Sequence, residues 1–248
     1  MSVSSILSKL NQINESNLIS VYVPSAKREI KFKTISVKQQ KDLIKSGMDG
    51  VLSGIIISNV INQIILDNST ESHDFLVIDK IPIIVALRKQ SFGSEFISNQ
   101  DNTPIVFDLD AIQSKDLNYT NIDKTELVSD DTKITVILDV LSLEEDSKIN
   151  NFQLERLKKG KENDISETVG SLFIYEILKF ITTVIVNTEE LDMKSYPIKD
   201  RLSVVENLPA TINNKILEYI QGFRKEEMDF ITIDGNTLSI DARFFSKE

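Results

Sequence analysis

Residues 166–185 read SETVGSLFIYEILKFITTVI, and apolar residues dominate this stretch from Leu172 onward. Glu176, Lys179 and Thr183 leave a narrow polar face. The apolar side chains include Leu172, Phe173, Tyr175, Ile177, Leu178, Phe180, Ile181, Val184 and Ile185. Helical spacing with so little polar surface is typical of a helix that is buried on nearly all sides. We therefore predict a central buried helix over this stretch.

The sequence downstream of this stretch predicts two more helices and a closing hairpin. Residues 201–205 and 207–223 have helical spacing, and Pro209 is compatible with the start of the second helix. Residues 229–233 and 238–241 lie on either side of an Asp-Gly turn at 234–235. This pattern is typical of a tight β-hairpin.

The N-terminal region predicts a short amphipathic helix followed by a β-hairpin. Residues 5–14 place their apolar side chains at helical spacing. Residues 19–23 and 29–33 alternate like strands, and residues 24–26 (Pro-Ser-Ala) supply the turn between them.

Three further helices are predicted before residue 90. Ser36 begins a capping-box pattern, with a glutamine three residues later, before a helix over 37–45. The many β-branched residues of 51–66 blur the period, but the length of the stretch favours a helix. Pro82 fits the first turn of a helix, so residues 83–89 are predicted to be helical.

The middle of the chain has a different character. Residues 105–109 and 134–138 are rich in β-branched side chains and are separated by a polar stretch, 114–131. They predict an antiparallel pair with a long connection. The fold class is therefore α+β, a helical body with β-hairpins at the N-terminus, in the middle and at the C-terminus. We expect a single domain over 1–248, with a β insertion at about 94–145 as an option.

The composition limits the kinds of partner. The chain has 28 basic and 38 acidic residues and a formal net charge of -10, so its surface repels phosphate and we expect no nucleic-acid partner. The apolar run at 51–66 is interrupted well before the ~20 residues that a membrane helix needs, so we expect no membrane contact. With no cysteine, one histidine and no phosphate-binding glycine motif, we expect no metal and no cofactor.

Candidate catalytic groups are few. His73 is the only histidine, and its polar neighbours favour a solvated loop residue over a catalytic base. Asp108 and Asp110 would share one face of a strand. A glycosidase, however, needs two carboxylates across a cleft, one of them with a raised pKa, and spacing does not show that. We predict no enzyme activity, no catalytic residue and no small-molecule substrate, with a carboxylate-based hydrolase as the less favoured alternative.

Three segments of the chain resemble one protein family. Residues 21–40 contain a Val-Pro-Ser turn, an alternating strand and a Ser-Val-Lys helix start, residues 78–88 form a helix that ends in Leu-Arg, and residues 233–245 join a strand to an aromatic ending. Together they resemble the baseplate hub and hub-assembly proteins of T-even-type contractile-tailed bacteriophages, the myoviruses. The resemblance implies a structural or assembly protein of the baseplate hub that acts through protein–protein contacts.

The resemblance also implies where the protein works and what it contacts. Its partners would be other baseplate hub or tail proteins, in the virion tail baseplate and, during assembly, in the host cytoplasm. The three segments supply four partner-contact candidates: Pro24, Arg88, Phe244 and Phe245. The two phenylalanines must pack on the domain or dock on a partner, because exposed aromatic surface is costly, and packing is favoured. A generic acidic scaffold or adaptor is the alternative outside this family.

Overall fold

The computed structural model describes residues 3–48, 52–100, 103–113, 115, 125–128, 133–159 and 165–246. The chain groups into two units: unit 1 comprises residues 1–116 and 230–248, and unit 2 comprises residues 117–229. Unit 1 is thus formed from two separate parts of the chain. The expectation of a single domain over 1–248, with a β insertion at about 94–145, stays a prediction.

The helices of the described ranges are α1 Val3–Ser16, α2 Val37–Ser46, α3 Ser53–Asn68, α4 Lys80–Phe92, α5 Leu109–Gln113, α6 Leu143–Lys159, α7 Ile165–Leu178, α8 Ile198–Glu206 and α9 Ala210–Ile231. Short 3-10 helices within the described ranges include Val77–Asp79, Met193–Ser195 and Ala242–Phe245. The helices predicted at 5–14, 37–45, 51–66, 83–89 and 201–205 are therefore confirmed.

The strands are β1 Leu18–Val23, β2 Arg28–Lys33, β3 Glu95–Gln100, β4 Thr103–Asp108, β5 Thr125–Val128, β6 Ile134–Leu138, β7 Ile181–Val186, β8 Glu189–Asp192, β9 Thr232–Ile233 and β10 Asn236–Thr237. They form two-stranded antiparallel ribbons, β1–β2, β3–β4 and β9–β10, and a four-stranded antiparallel sheet in the order β5–β6–β7–β8. The predicted α+β class, with hairpins in all three regions, is confirmed.

The first hairpin forms as its alternation predicts. Val21 pairs with Ile30 and Ile19 pairs with Phe32, so apolar residues of both strands share one face. Val21, Ile30 and Phe32 are buried, which places this face in the core of unit 1. Lys27 closes the turn with a φ of 52°, and the left-handed conformation suits the twist of a short hairpin.

The second half of the predicted central helix is a strand. Helix α7 ends at Leu178, and residues 181–186 form β7 between β6 and β8. All six residues of β7 are β-branched, a type that loses side-chain freedom in a helix and packs well on a sheet. Burial on both faces removed the alternation that would have marked this segment as a strand. The prediction of one helix over 166–185 is therefore wrong beyond Leu178.

The two predicted central strands exist, but they pair with other partners. Residues 105–108 lie in β4, which pairs with β3 at Phe96 and Phe107. Residues 134–138 form β6, which pairs with β5 and β7. The predicted pairing of these two segments is wrong, because each has a partner closer along the chain, and short loops cost less entropy. The predicted connection, 114–131, lies largely outside the described residues.

The closing hairpin is shorter than its sequence pattern predicts. Its turn at 234–235 is confirmed, with φ of 49° and 79° at the aspartate and the glycine. Each strand has only two residues, so the predicted strands over 229–233 and 238–241 are wrong in extent. Helix α9 continues farther because helical spacing of buried side chains persists from Phe223 to Phe230, two turns later.

Unit 2 contains a helix that the sequence analysis missed, α6. The backbone N–H of Glu145 donates to Ser142 Oγ at 3.3 Å, as in a helix cap. Buried ion pairs then join α6 to its neighbours: Glu145 with Arg201 at 2.6 Å, and Asp146 with Lys179 at 3.1 Å. Each charge offsets the desolvation cost of the other, so these pairs fix the position of α6 within unit 2.

The C-terminal segment packs closely on α2 in unit 1. Gly47 caps the end of α2 with ordinary helical angles, so its backbone does not require glycine. A Cβ at this position would lie 2.3 Å from the Cβ of Ala242, which is far inside van der Waals contact. The absence of a side chain at Gly47 is what allows this approach.

We expect Gly47→Ala to lower the free energy of unfolding by about 1–3 kcal/mol, because two packed segments must move apart. The matched control is Gly54→Ala in α3, where an added Cβ meets no atom within 4 Å. There the better helix propensity of alanine should leave stability unchanged or raise it by up to about 1 kcal/mol. Urea unfolding followed by circular dichroism measures both. Equal stability of Gly47→Ala and wild type would contradict the close packing.

Candidate partner-contact site

A run of exposed apolar side chains lies along one side of α1. Spacings of three and four residues place five of them on a common face: Val3, Ile6, Leu7, Leu10 and Ile13. Each is between 46% and 75% exposed. Contiguous exposed apolar surface in a soluble protein is typical of an interaction site. We call these five residues the α1 face and treat it as the candidate partner-contact site.

A smaller exposed pair lies on the β3–β4 ribbon. Ile97 and Val106 are directly opposite each other across the two strands, and both are exposed. On the other side of the ribbon, Phe96 and Phe107 are buried. One cross-strand pair is too little surface to define a site by itself, so the α1 face is the stronger candidate.

The four partner-contact candidates from the sequence all lie inside unit 1. Arg88, Phe244 and Phe245 are at most 3% exposed, and Pro24 is buried at the β1–β2 turn. The structure brings the first three together. A partner could contact one of these side chains only if the segment that carries it separated from the rest of unit 1. The role of these residues as partner contacts stays a prediction.

The cluster around Arg88 joins α4 to the C-terminal segment. Arg88 Nε donates to the backbone carbonyl of Phe244 at 3.1 Å, and another guanidinium nitrogen donates to the carbonyl of Gly93. The guanidinium also lies 5.4 Å from the ring centre of Phe96 and 5.5 Å from that of Phe244, within cation–π distance. Burial lowers the pKa of Arg88. Two carbonyls and aromatic faces thus replace the water around this charge.

The phenylalanine pair completes this cluster. Phe244 packs edge-on against Phe96 at 5.2 Å and against Phe245 at 5.1 Å between ring centres. The carbonyl of Phe245 accepts a hydrogen bond from Gln40 Nε2 at 3.0 Å. Neither phenylalanine has accessible surface. The packing alternative favoured for this pair is therefore what the structure shows.

Because both rings are fully buried, Phe244→Ala with Phe245→Ala should lower the free energy of unfolding by at least about 3–5 kcal/mol. Phe173→Ala is the control, since this ring is 43% exposed and its removal should cost much less. Thermal melting followed by circular dichroism compares the variants. A double variant that melts like wild type would show that the rings do not support the core.

A second polar cluster joins the first hairpin to the start of α4. Asp79 has no exposed surface and accepts three hydrogen bonds, from Ser25 N at 2.9 Å, from Ser25 Oγ at 2.6 Å and from Leu76 N at 2.8 Å. His73 Nε2 lies 2.8 Å from the same Ser25 Oγ. The ring of His73 also packs edge-on against Phe75. His73 lies in a loop, as predicted, but it is half-buried and hydrogen-bonded and so is less solvated than expected.

The order of these hydrogen bonds argues against a serine nucleophile. In a catalytic triad the histidine accepts the serine proton, and a carboxylate holds the far side of the histidine ring. Here Ser25 Oγ donates its proton to Asp79, so His73 Nε2 must be the donor to Ser25. Burial raises the pKa of Asp79, and the hydrogen bonds from Ser25 and Leu76 partly oppose that shift. The geometry fits a structural clamp between the hairpin and α4.

Asp79→Asn should lower the free energy of unfolding by about 1–3 kcal/mol at neutral pH, because an amide NH₂ would face a buried donor. The folded state holds the Asp79 proton more tightly than the unfolded state, so stability falls as the pH rises from the ordinary aspartate pKa through the raised one. The stability of the asparagine variant should not show this decrease, because its side chain does not titrate. Urea unfolding should therefore show that the difference in free energy of unfolding between wild type and variant becomes smaller as the pH rises through this window.

The control for this clamp is His73→Ala, which removes one hydrogen bond but leaves all three acceptor contacts of Asp79 intact. We expect a smaller loss of stability and unchanged phage production. If His73→Ala abolished phage production while the protein stayed folded, His73 would have a chemical role that the clamp does not explain.

The other candidate carboxylates serve structural contacts. Asp108 ends β4 and accepts from the backbone N–H of Asp110, which lies in α5 and pairs with Lys89, so the two do not share a strand face as predicted. Burial alone would raise the pKa of Glu145, but its bond to Arg201 holds the pKa below the ordinary value. A general acid requires the opposite shift.

Neither a metal-binding group nor a membrane-spanning helix is found within the described ranges. Within these ranges, histidine, aspartate and glutamate side chains do not gather into a group of three suited to a metal ion. None of the helices described has the length and apolar content needed to cross a membrane.

Comparison with known proteins identifies a family for this chain. A family model described as T4 bacteriophage base plate protein matches residues 16–231. The chain belongs to this family. It therefore has a structural role in the tail baseplate of a T4-type phage, where other baseplate proteins are its partners. No curated protein and no solved structure matches the chain.

Some of the features described above lie inside the residues matched by the family model, and others lie outside them. Two of the segments that resemble hub proteins, 21–40 and 78–88, lie inside the match, and the third, 233–245, follows it. The α1 face precedes residue 16 and so lies outside the match as well. Sequence reasoning predicted the amphipathic helix α1 but did not name its face as a contact site. The heptad-like spacing of its apolar residues was the signal available.

Proposed function

We propose that this baseplate protein acts at the hub of the phage tail baseplate, as a hub component or as a helper that builds the hub. It works through protein–protein contacts and without catalysis. Its assembly step takes place in the host cytoplasm, and a hub component then remains in the virion tail. Family membership supports the role in the baseplate. The resemblance of three segments to hub and hub-assembly proteins supports the more specific location at the hub.

One observation supports the hub assignment: the three hub-like segments form a single contact network in unit 1. Ser25 from segment 21–40 donates to Asp79 of segment 78–88. Arg88, at the other end of that segment, donates to the carbonyl of Phe244 in segment 233–245. Each motif is weak evidence by itself, but the three support one another, because hydrogen bonds connect residues of one segment to residues of the next.

The two forms of the proposal differ in the interface that they require. A permanent hub subunit buries large apolar surfaces in obligate contacts, whereas a helper forms smaller and more reversible ones. A net charge of -10 favours solubility as a free protein and so suits the helper.

A stop codon introduced into this gene should abolish assembled hubs, because the other hub proteins lose a required contact. Electron microscopy of infected-cell lysates measures the hubs, and a suppressor host that restores the full chain is the control. Normal infectious particles without the protein would overturn the proposal.

Mass spectrometry of purified virions then distinguishes the two forms of the proposal, a permanent hub subunit and an assembly helper. Peptides in fixed proportion to other tail proteins identify a permanent subunit. Peptides found in the lysate but not in virions identify an assembly helper. Peptides that fractionate with heads and not with tails would contradict both forms.

A further inference from the structure

We propose that the α1 face docks into an apolar groove on another baseplate protein, with α1 entering the groove as a whole helix. The spacing i, i+3, i+4, i+7 of Val3, Ile6, Leu7 and Leu10 matches the anchor pattern by which amphipathic helices fill such grooves. All four side chains are exposed along the same side of α1. The statement that the partner is a baseplate protein follows from the family match, so this proposal goes beyond the hub function and does not require it.

The polar residues of α1 carry little charge. They are serine, asparagine and glutamine, apart from one lysine, Lys9, and one glutamate, Glu15. Uncharged polar side chains cost less free energy to remove from water than charged ones, so a groove can cover them at a lower cost. With 14 residues, α1 is about 21 Å long, which sets the length of the groove. The groove should have an aliphatic floor and an uncharged rim.

A second copy of this chain is a poorer occupant. Paired α1 helices would contribute five apolar side chains each, whereas a standard stable interface has about 20–30 residues a side. In a two-stranded coiled coil, charged residues beside the apolar seam usually set the pairing, and α1 has only one lysine and one glutamate. Two chains of net charge -10 also repel each other. A groove that surrounds the helix gains more contact from the same face.

A membrane surface is also a poorer occupant. Helices that lie on membranes carry lysine and arginine along the polar side and often an aromatic anchor on the apolar side. Helix α1 has one lysine and no aromatic residue, in a chain that anionic lipids would repel. These chemical differences leave a protein groove as the best fit.

The test uses the full chain produced during phage infection, with a photo-cross-linking amino acid in place of Leu10 or, as control, Gln12. Both positions are exposed, but Gln12 lies on the opposite side of α1. We expect position 10 to cross-link to peptides of one other baseplate protein, identified by mass spectrometry. Yield at position 12 should be lower by about tenfold or more. Cross-links only to a second copy or only to lipid, or equal yields at both positions, would overturn the proposal.

A pair of variants separates docking from folding. Leu7→Gln with Leu10→Gln keeps good helix formers and changes only exposed side chains, so melting should match wild type while the cross-linked complex falls about tenfold or more. The control, Ser8→Gln with Gln12→Ser, exchanges polar side chains on the opposite side and should keep the complex.

The same variants keep this proposal distinct from the proposed function. If the Leu7→Gln and Leu10→Gln variant builds normal hubs and retains its complexes while the stop codon still abolishes hubs, the α1 docking proposal fails and the hub function stands. If the stop codon leaves hubs intact but position 10 still cross-links specifically to a baseplate protein, the docking stands and the hub function fails.

Discussion

Unit 1 depends on two charged side chains buried on one continuous helical segment, Asp79 just before α4 and Arg88 within it. A buried charge persists only where polar groups of the protein replace its water. Ser25 of the first hairpin does this for Asp79, and the carbonyl of Phe244 does it for Arg88. The same hydrogen bonds that satisfy the charges therefore hold both parts of unit 1 on α4. Removing either contact leaves a buried charge with fewer hydrogen bonds as well as a loose segment.

Short-range sequence patterns correctly predicted the helices and strands whose formation depends on neighbouring residues. The alternation of β1 and β2, the cap at Ser36 and the helices α3 and α4 follow from short-range preferences, and the structure has all of them. Residues 181–186 did not follow this rule, because burial on both faces gives a strand the same unbroken apolar run as a buried helix. The strand partners in the middle of the chain could not be predicted from the sequence either, since pairing depends on which segments meet in the folded chain and not on their composition.

The candidate site shows the same division between local and tertiary information. The sequence predicts the amphipathic character of α1, but only the structure shows that its apolar face is exposed. The reverse holds for Phe244 and Phe245, whose position near the end of the chain made docking an alternative until the structure placed them in the core. The hydrogen bond of His73 was missed because its partner, Ser25, lies 48 positions away. Exposure and long-range hydrogen bonding are properties of the folded chain, so composition does not report them.

The split of unit 1 between residues 1–116 and 230–248 has a consequence for synthesis on the ribosome. All of unit 2 is translated before the last segment of unit 1 exists, and at roughly 5–20 residues per second those 113 residues take about 6–23 s. During that interval Phe244 and Phe245 have not been synthesised, so Arg88 lacks the carbonyl of Phe244 and the residues that pack on the two rings lack those contacts. The nascent protein thus passes through a stage with uncovered apolar surface, when a chaperone or an early binding partner has access that the finished chain denies.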